Sequence, residues 1–147
     1  MITVQIVDDH KMFAEGIERI INESGIAQVI GKACNARECR QMLSERQADV
    51  LLLDIQLPDS SGLELCVEIR KIYPKLNILA LTGFSGYSVV HRMLLNGASG
   101  YIFRVPDLWG NQDVTNLNFK VKLVEGKTVF VSLRLSHRFC RILSSAQ

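Results

Sequence analysis

Val50-Leu51-Leu52-Leu53 is an unbroken apolar run, without the alternation of a half-exposed strand, and an aspartate, Asp54, ends it. So short and uniformly apolar a run fits a strand buried on both faces, as a central strand of a parallel sheet must be. Parallel neighbours cannot be joined by tight hairpins, so the flanking sequence has to supply crossover helices.

It does. Ile2 to Val7, Ala27 to Cys34, Ile78 to Thr82 and Gly100 to Phe103 read as further strands. Between them lie Phe13, Ile17, Ile20 and Ile21, then Cys39 with Leu43, Leu65 with Ile69 and Ile72, and Val90 with Met93 and Leu94, each group at helical spacing. Ser24-Gly25, Asp59-Ser60-Ser61-Gly62 and Pro74 break the segments, and Asn96-Gly97 reads as a helix C-cap. Residues 1 to 104 thus read as βα four times and a fifth strand. Crossovers of this kind are overwhelmingly right-handed, which predicts an open doubly wound α/β sheet with helices on both faces. An eight-fold barrel would need about 250 residues, and the chain has 147.

Beyond Arg104 the pattern weakens. Val114, Leu117, Val121 and Val124 suit a last amphipathic helix ending at Gly126, although Asn116, Asn118 and the β-branched residues make a poor helix former. The expected division is a domain over residues 1–126 and a tail or linker over 127–147. A net charge of +2 argues against a dedicated nucleic-acid clamp. No apolar run approaches the roughly 18 to 20 residues of a membrane span, and no secretory signal is visible, so the expectation is a cytoplasmic protein without membrane contact. The four cysteines form no CxxC pair and have no zinc-like spacing; Cys34, Cys39 and Cys66 read as reduced packing residues.

Ligands of open α/β sheets sit beyond the carboxyl ends of the strands. There, Asp8 and Asp9 close the first strand and Asp54 the third, and in this architecture those strands are neighbours. Three converging carboxylates repel one another unless a cation joins them, and Mg²⁺, a hard ion that keeps waters and accepts phosphate oxygens, suits the set. Thr82 at the end of the fourth strand offers a hydroxyl, and Arg104 after the fifth a cationic fork, for a phosphoryl group. Taken singly, each is as well explained as a turn former, a helix cap or a solvated side chain. Their placement at four strand ends is what points to phosphoryl chemistry.

Val7-Asp8-Asp9-His10, Leu53-Asp54-Ile55-Gln56-Leu57-Pro58, Leu81-Thr82-Gly83 and Gly97-Ala98-Ser99-Gly100-Tyr101 together resemble the receiver domain of two-component response regulators. Asp9-His10, Leu57-Pro58-Asp59-Ser60-Ser61-Gly62 and Glu125-Gly126-Lys127 resemble its LuxR-type transcription-regulator branch. The resemblance implies a flavodoxin-like strand order 2-1-3-4-5, with Asp54 as phosphoacceptor. Asp8, Asp9, Asp54 and the backbone carbonyl of Gln56 would be the Mg²⁺ ligands, and Thr82 and Tyr101 the switch pair. It further implies a sensor histidine kinase as phosphodonor in a phosphorelay, and a homodimer through the fourth helix, fifth strand and fifth helix. DNA would be reached only through an output domain that these residues do not encode.

Two features depart from the family. Arg104 stands where Lys is usual, and a planar guanidinium does not replace a compact ammonium. The connection from Arg104 to Gly126 is also longer than usual. Two other readings compete with a phosphorylation switch that is not itself an enzyme. One is a degenerate receiver that acts as a phosphorylation-independent interaction or dimerisation module. The other is a metal-dependent hydrolase using Asp54 as nucleophile, against which Gln56 stands where such enzymes place a second acid.

Overall fold

In a computed structural model, the structure describes residues 1–25, 27–82, 86–103, 121–123 and 128–129, with backbone only at 82, 86, 87, 90, 102, 103 and the last two segments. The elements are β1 (Ile2–Val7), α1 (Lys11–Glu23), β2 (Ala27–Ala33), α2 (Ala36–Glu45), β3 (Val50–Asp54) and α3 (Gly62–Ile72). They continue with β4 (Asn77–Thr82), α4 (Gly86–Leu95), β5 (Gly100–Phe103), β6 (Val121–Leu123) and β7 (Thr128–Val129). The first five strands pair in parallel in the expected order, β2-β1-β3-β4-β5.

The apolar run of β3 resolves into two layers. Val50 and Leu52 join Phe13, Ala14, Ile17 and Ile21 of α1 on one face of the sheet. Leu51 and Leu53 join Cys39 and Leu43 of α2, Leu65 and Ile69 of α3 and Met93 of α4 on the other. All four strand residues are at most 1% exposed. At about 1.5 to 3 kcal/mol for each fully buried side chain, they fix the register, because a slip of one residue would draw the Asp54 carboxylate into an apolar layer. Burial on both faces explains why the run does not alternate.

The breakers act as their chemistry requires. Gly97 takes φ 105°, with its N–H on the Leu94 carbonyl and the Ala98 N–H on that of Met93, a Schellman ending for α4. Cys39 and Cys66 are buried and free, and Cys34 is half-buried and free; burial pushes the Cys39 thiol up to about 12 and that of Cys66 to about 11, so both stay protonated packing groups.

One expectation is overturned. Within the helix expected over Val114 to Gly126, Val121–Leu123 is a strand that pairs antiparallel with β5, and β7 pairs antiparallel with β6. Among the described residues the sheet therefore runs to seven strands and past residue 126. The open edge of β5 offers unpaired peptide groups, and a segment of weak helix propensity gains more by pairing there than by coiling. The rest of that expected helix, with Arg104, lies outside the described residues. The expected face of fourth helix, fifth strand and fifth helix is thus not formed as foreseen at Val121–Leu123.

Candidate functional site: an acid pocket at the strand ends

Pairing of β1 with β3 aligns Val7 with Leu53. The next residues along the chain, Asp8 just past β1 and Asp54 at the end of β3, therefore stand side by side, and Asp9 and His10 follow in the turn into α1. Ligand atoms of Asp8, Asp9, His10 and Asp54 all lie within 4.8 Å of one another. The expected convergence of three carboxylates is present.

The pocket is graded from floor to mouth. The side chain of Asp8 is 2% exposed, that of Asp9 37% and that of His10 59%. The Asp8 N–H donates to the Ala33 carbonyl at 3.0 Å, which ties the floor to the end of β2. Asp8 Oδ1 accepts from the His10 N–H at 2.8 Å. The His10 Nδ1 stands 3.1 Å from Asp8 Oδ1 and 3.1 Å from Asp9 Oδ1. His10 reads in sequence as a loop or helix-start residue, and it is the N-cap of α1, yet its side chain makes no cap bond and turns instead to the acids. Its signal in the sequence was adjacency to the acid pair.

Asp54 is half-buried, and its carboxyl is pushed up to about 6. Burial is the main cause, and the negative charges of Asp8 and Asp9 add to it. The Gln56 N–H, donating to Asp54 Oδ1 at 3.1 Å, and the nearby His10 pull the other way. The two lowering influences do not offset burial and repulsion.

Gly62 shapes the wall behind Asp54. Its N–H donates to the Ile55 carbonyl at 2.7 Å, and a Cβ there would lie 2.2 Å from the Asp54 carbonyl oxygen and 2.7 Å from the Ile55 Cα. Only a glycine lets the start of α3 press on the backbone that carries the acid. Sequence reading took Gly62 for a turn breaker; the close approach is a three-dimensional fact.

The other expected residues divide. Thr82 ends β4 opposite Phe103, one residue beyond Leu81, the partner of Asp54, so its backbone flanks the pocket; its side chain lies outside the description. Tyr101 is 2% exposed, in the core with Ala80 and Met93, an inward placement of its ring. Gln56 forms a bridge with Ser61.

Donor chemistry here suits a hard divalent cation. Oxygen donors from three carboxylates crowd together, and their mutual repulsion, added to the burial that lifts the Asp54 carboxyl, is what an ion would relieve.

A family model described as the response regulator receiver domain matches residues 4–107. The transcriptional activator DevR/DosR of Mycobacterium tuberculosis is 32% identical over 104 residues, 71% of this chain and 48% of that protein. The regulatory protein CitT of Bacillus subtilis is 35% identical over 104 residues, 71% of this chain and 46% of that protein. Among solved structures, a LuxR-family two-component response regulator from Aurantimonas superposes with a TM-score of 0.68 at 29% identity, covering 73% of this chain and 76% of that one. The chain spans about half the length of the curated relatives it matches.

Proposed function

We propose, from the premise that this chain belongs to the response regulator receiver domain family, that it is switched by transfer of a phosphoryl group to Asp54. The observation that carries the proposal is the convergence of Asp8, Asp9 and Asp54 donor atoms within 4.8 Å at the carboxyl ends of β1 and β3.

The Asp54 carboxylate attacks phosphorus. The new bond forms from a carboxylate oxygen, the bond to the donor's leaving group breaks, and the leaving group departs with its electron pair. Asp54 Oδ1 is held by the Gln56 N–H, which orients the carboxylate, and the backbone behind it is braced by Gly62. Asp8, Asp9, Asp54 and the Gln56 carbonyl would hold Mg²⁺. When bound, magnesium neutralises the cluster and the charge on the phosphoryl oxygens. Thr82 and Arg104 are proposed to bind the transferred group, the hydroxyl donating to one oxygen and the guanidinium to the others. The product places about 1.5 to 2 negative charges at the end of β3. That change biases Thr82 and Tyr101 between two arrangements, and the buried Tyr101 carries it toward α4 and β5.

The donor is proposed to be a sensor histidine kinase. The relatives named above are transcriptional regulators, which supports a transcriptional output and a cytoplasmic setting; no helix among the described residues is long and apolar enough to cross a membrane. Asp54 acts as an acceptor in this reading, not as the nucleophile of a turnover hydrolase.

Incubation with Mg²⁺ and acetyl phosphate should add one phosphoryl group, seen by intact mass and labile to hydroxylamine. Asp54→Asn should add none. A folded, Mg²⁺-bound protein that stays unmodified would sink the proposal.

A further inference from the structure

His10 sets this pocket apart from a purely carboxylate one. Its ring nitrogen is 3.1 Å from one oxygen of Asp8 and 3.1 Å from one of Asp9. Both are hydrogen-bond or ion-pair contacts, and they also match the spacing of neighbouring donors around an ion with bonds of about 2.1 Å, whose adjacent ligands stand about 3 Å apart, so an ion can take the place of the shared proton. The Asp54 carboxylate completes a set within 4.8 Å. The side chain is 59% exposed at the pocket mouth, and it forgoes the helix cap that its position would offer.

We propose that His10 is a metal ligand that makes this a mixed nitrogen and oxygen site, raising its affinity for borderline divalent ions such as Co²⁺ and Zn²⁺ relative to Mg²⁺. Imidazole nitrogen is a favoured donor for first-row transition ions, whereas magnesium prefers oxygen and keeps its waters. Carboxylates alone already bind transition ions better than magnesium, so the discriminating quantity is how the ratio of the two affinities depends on His10. The inference rests on the pocket being the divalent-ion site proposed above.

The full chain and His10→Ala are titrated calorimetrically with Co²⁺ alone and with Mg²⁺ alone. Loss of the imidazole should weaken Co²⁺ by about tenfold or more and shift Mg²⁺ by no more than about twofold. The wild-type Co²⁺ complex should show a hyperfine-shifted imidazole N–H resonance that His10→Ala lacks. His10→Asn, which keeps a polar side chain at the start of α1, should match His10→Ala and guards against a folding artefact.

Equal weakening of both ions, or unchanged Co²⁺ affinity with no imidazole resonance in the wild type, overturns the role of His10 and leaves the phosphorylation reading standing. If neither ion binds the wild-type pocket, both readings fall together, which Asp54→Asn behaving as wild type in the Mg²⁺ titration would corroborate.

Discussion

The starts of α1 and α2 lie at the same end of the sheet, each just after a strand, and they use their polar residues in opposite ways. At α2 the backbone takes them all. Asp59 accepts from the Ala36 N–H at 2.8 Å and the Arg37 N–H at 3.0 Å, Asn35 Oδ1 accepts from the Glu38 N–H at 2.8 Å, and the Asn35 carbonyl accepts from the Cys39 N–H at 3.0 Å. Three of the N–H groups that a helix leaves over at its start, those of Ala36, Arg37 and Glu38, are thus taken by side chains, and the Cys39 bond is the first of the helix itself. At α1 the N-cap side chain makes no such bond, and although Asp8 accepts the N–H of His10, the side chains of Asp8, Asp9 and His10 face one another and Asp54. A helix start whose acids cap its own backbone is stability; one whose acids crowd each other is a place prepared for a ligand.

Gly62 lies between the two, joined in sequence to Asp59 of the cap and in space to Asp54 of the pocket. Gly62→Ala is the change that should break both. With backbone atoms of Asp54 and Ile55 inside 3 Å of the new Cβ, no side-chain rotation relieves the clash. A loss of about 2 to 3 kcal/mol in urea unfolding is expected, together with slower phosphoryl uptake because the acid is displaced. Unchanged stability would show that the turn has freedom the close contact denies. Next in size, Asn35→Ala removes a cap from α2 and should cost about 1 kcal/mol, leaving phosphorylation untouched; loss of phosphorylation there would mean that the two helix starts are coupled.

How much of this was legible beforehand follows from the range of each interaction. β1, β3 and β5 were bounded as found, and β2 and β4 to within one residue, because apolar runs and breakers are local signals. Convergence of Asp8, Asp9 and Asp54 could be read because a doubly wound sheet sets its first and third strands side by side, in keeping with the order 2-1-3-4-5 that the receiver resemblance implies. Asp59 was seen as part of a breaker and of a family run but not as a cap, since nothing in a loop says that its carboxylate will reach a helix start 23 positions back. His10 was underweighted because a lone imidazole has no partner pattern, and Val121–Leu123 was read as helix because its spacing ignores the open edge of β5.

The comparison sharpens when the pocket is relieved of charge. Asp54→Asn mimics the protonated acid, and without divalent ions it should stabilise the protein at neutral pH by on the order of 1 kcal/mol, once solvent screening discounts the shift. The sign follows from proton binding. The Asp54 carboxyl is raised from 3.8 to about 6 in the folded chain, so the folded state holds the extra proton, and stability from this group is full below 3.8 and lost as pH rises through about 6. The advantage of the variant should therefore shrink to nothing at acid pH. Saturating Mg²⁺ should reverse it at neutral pH by stabilising the wild type alone.

Asp59→Asn should give the smallest effect and the opposite slope. Hydrogen bonds from the Ala36 and Arg37 N–H groups hold the Asp59 carboxyl below its ordinary value of 3.8, so its contribution is present above that value and disappears as pH falls through the lower folded one. Asparagine keeps an acceptor at the cap but loses the charge that favours a helix start. Wild type should therefore exceed Asp59→Asn near neutrality and converge with it in acid, while Asp54→Asn exceeds wild type near neutrality and also converges in acid. Thermal unfolding of the three proteins across pH 3 to 7, without divalent ions, reads both limbs at once. Parallel curves would mean that the carboxyls at the two helix starts differ in name only, and the assignment of one to chemistry and the other to architecture would lose its physical ground.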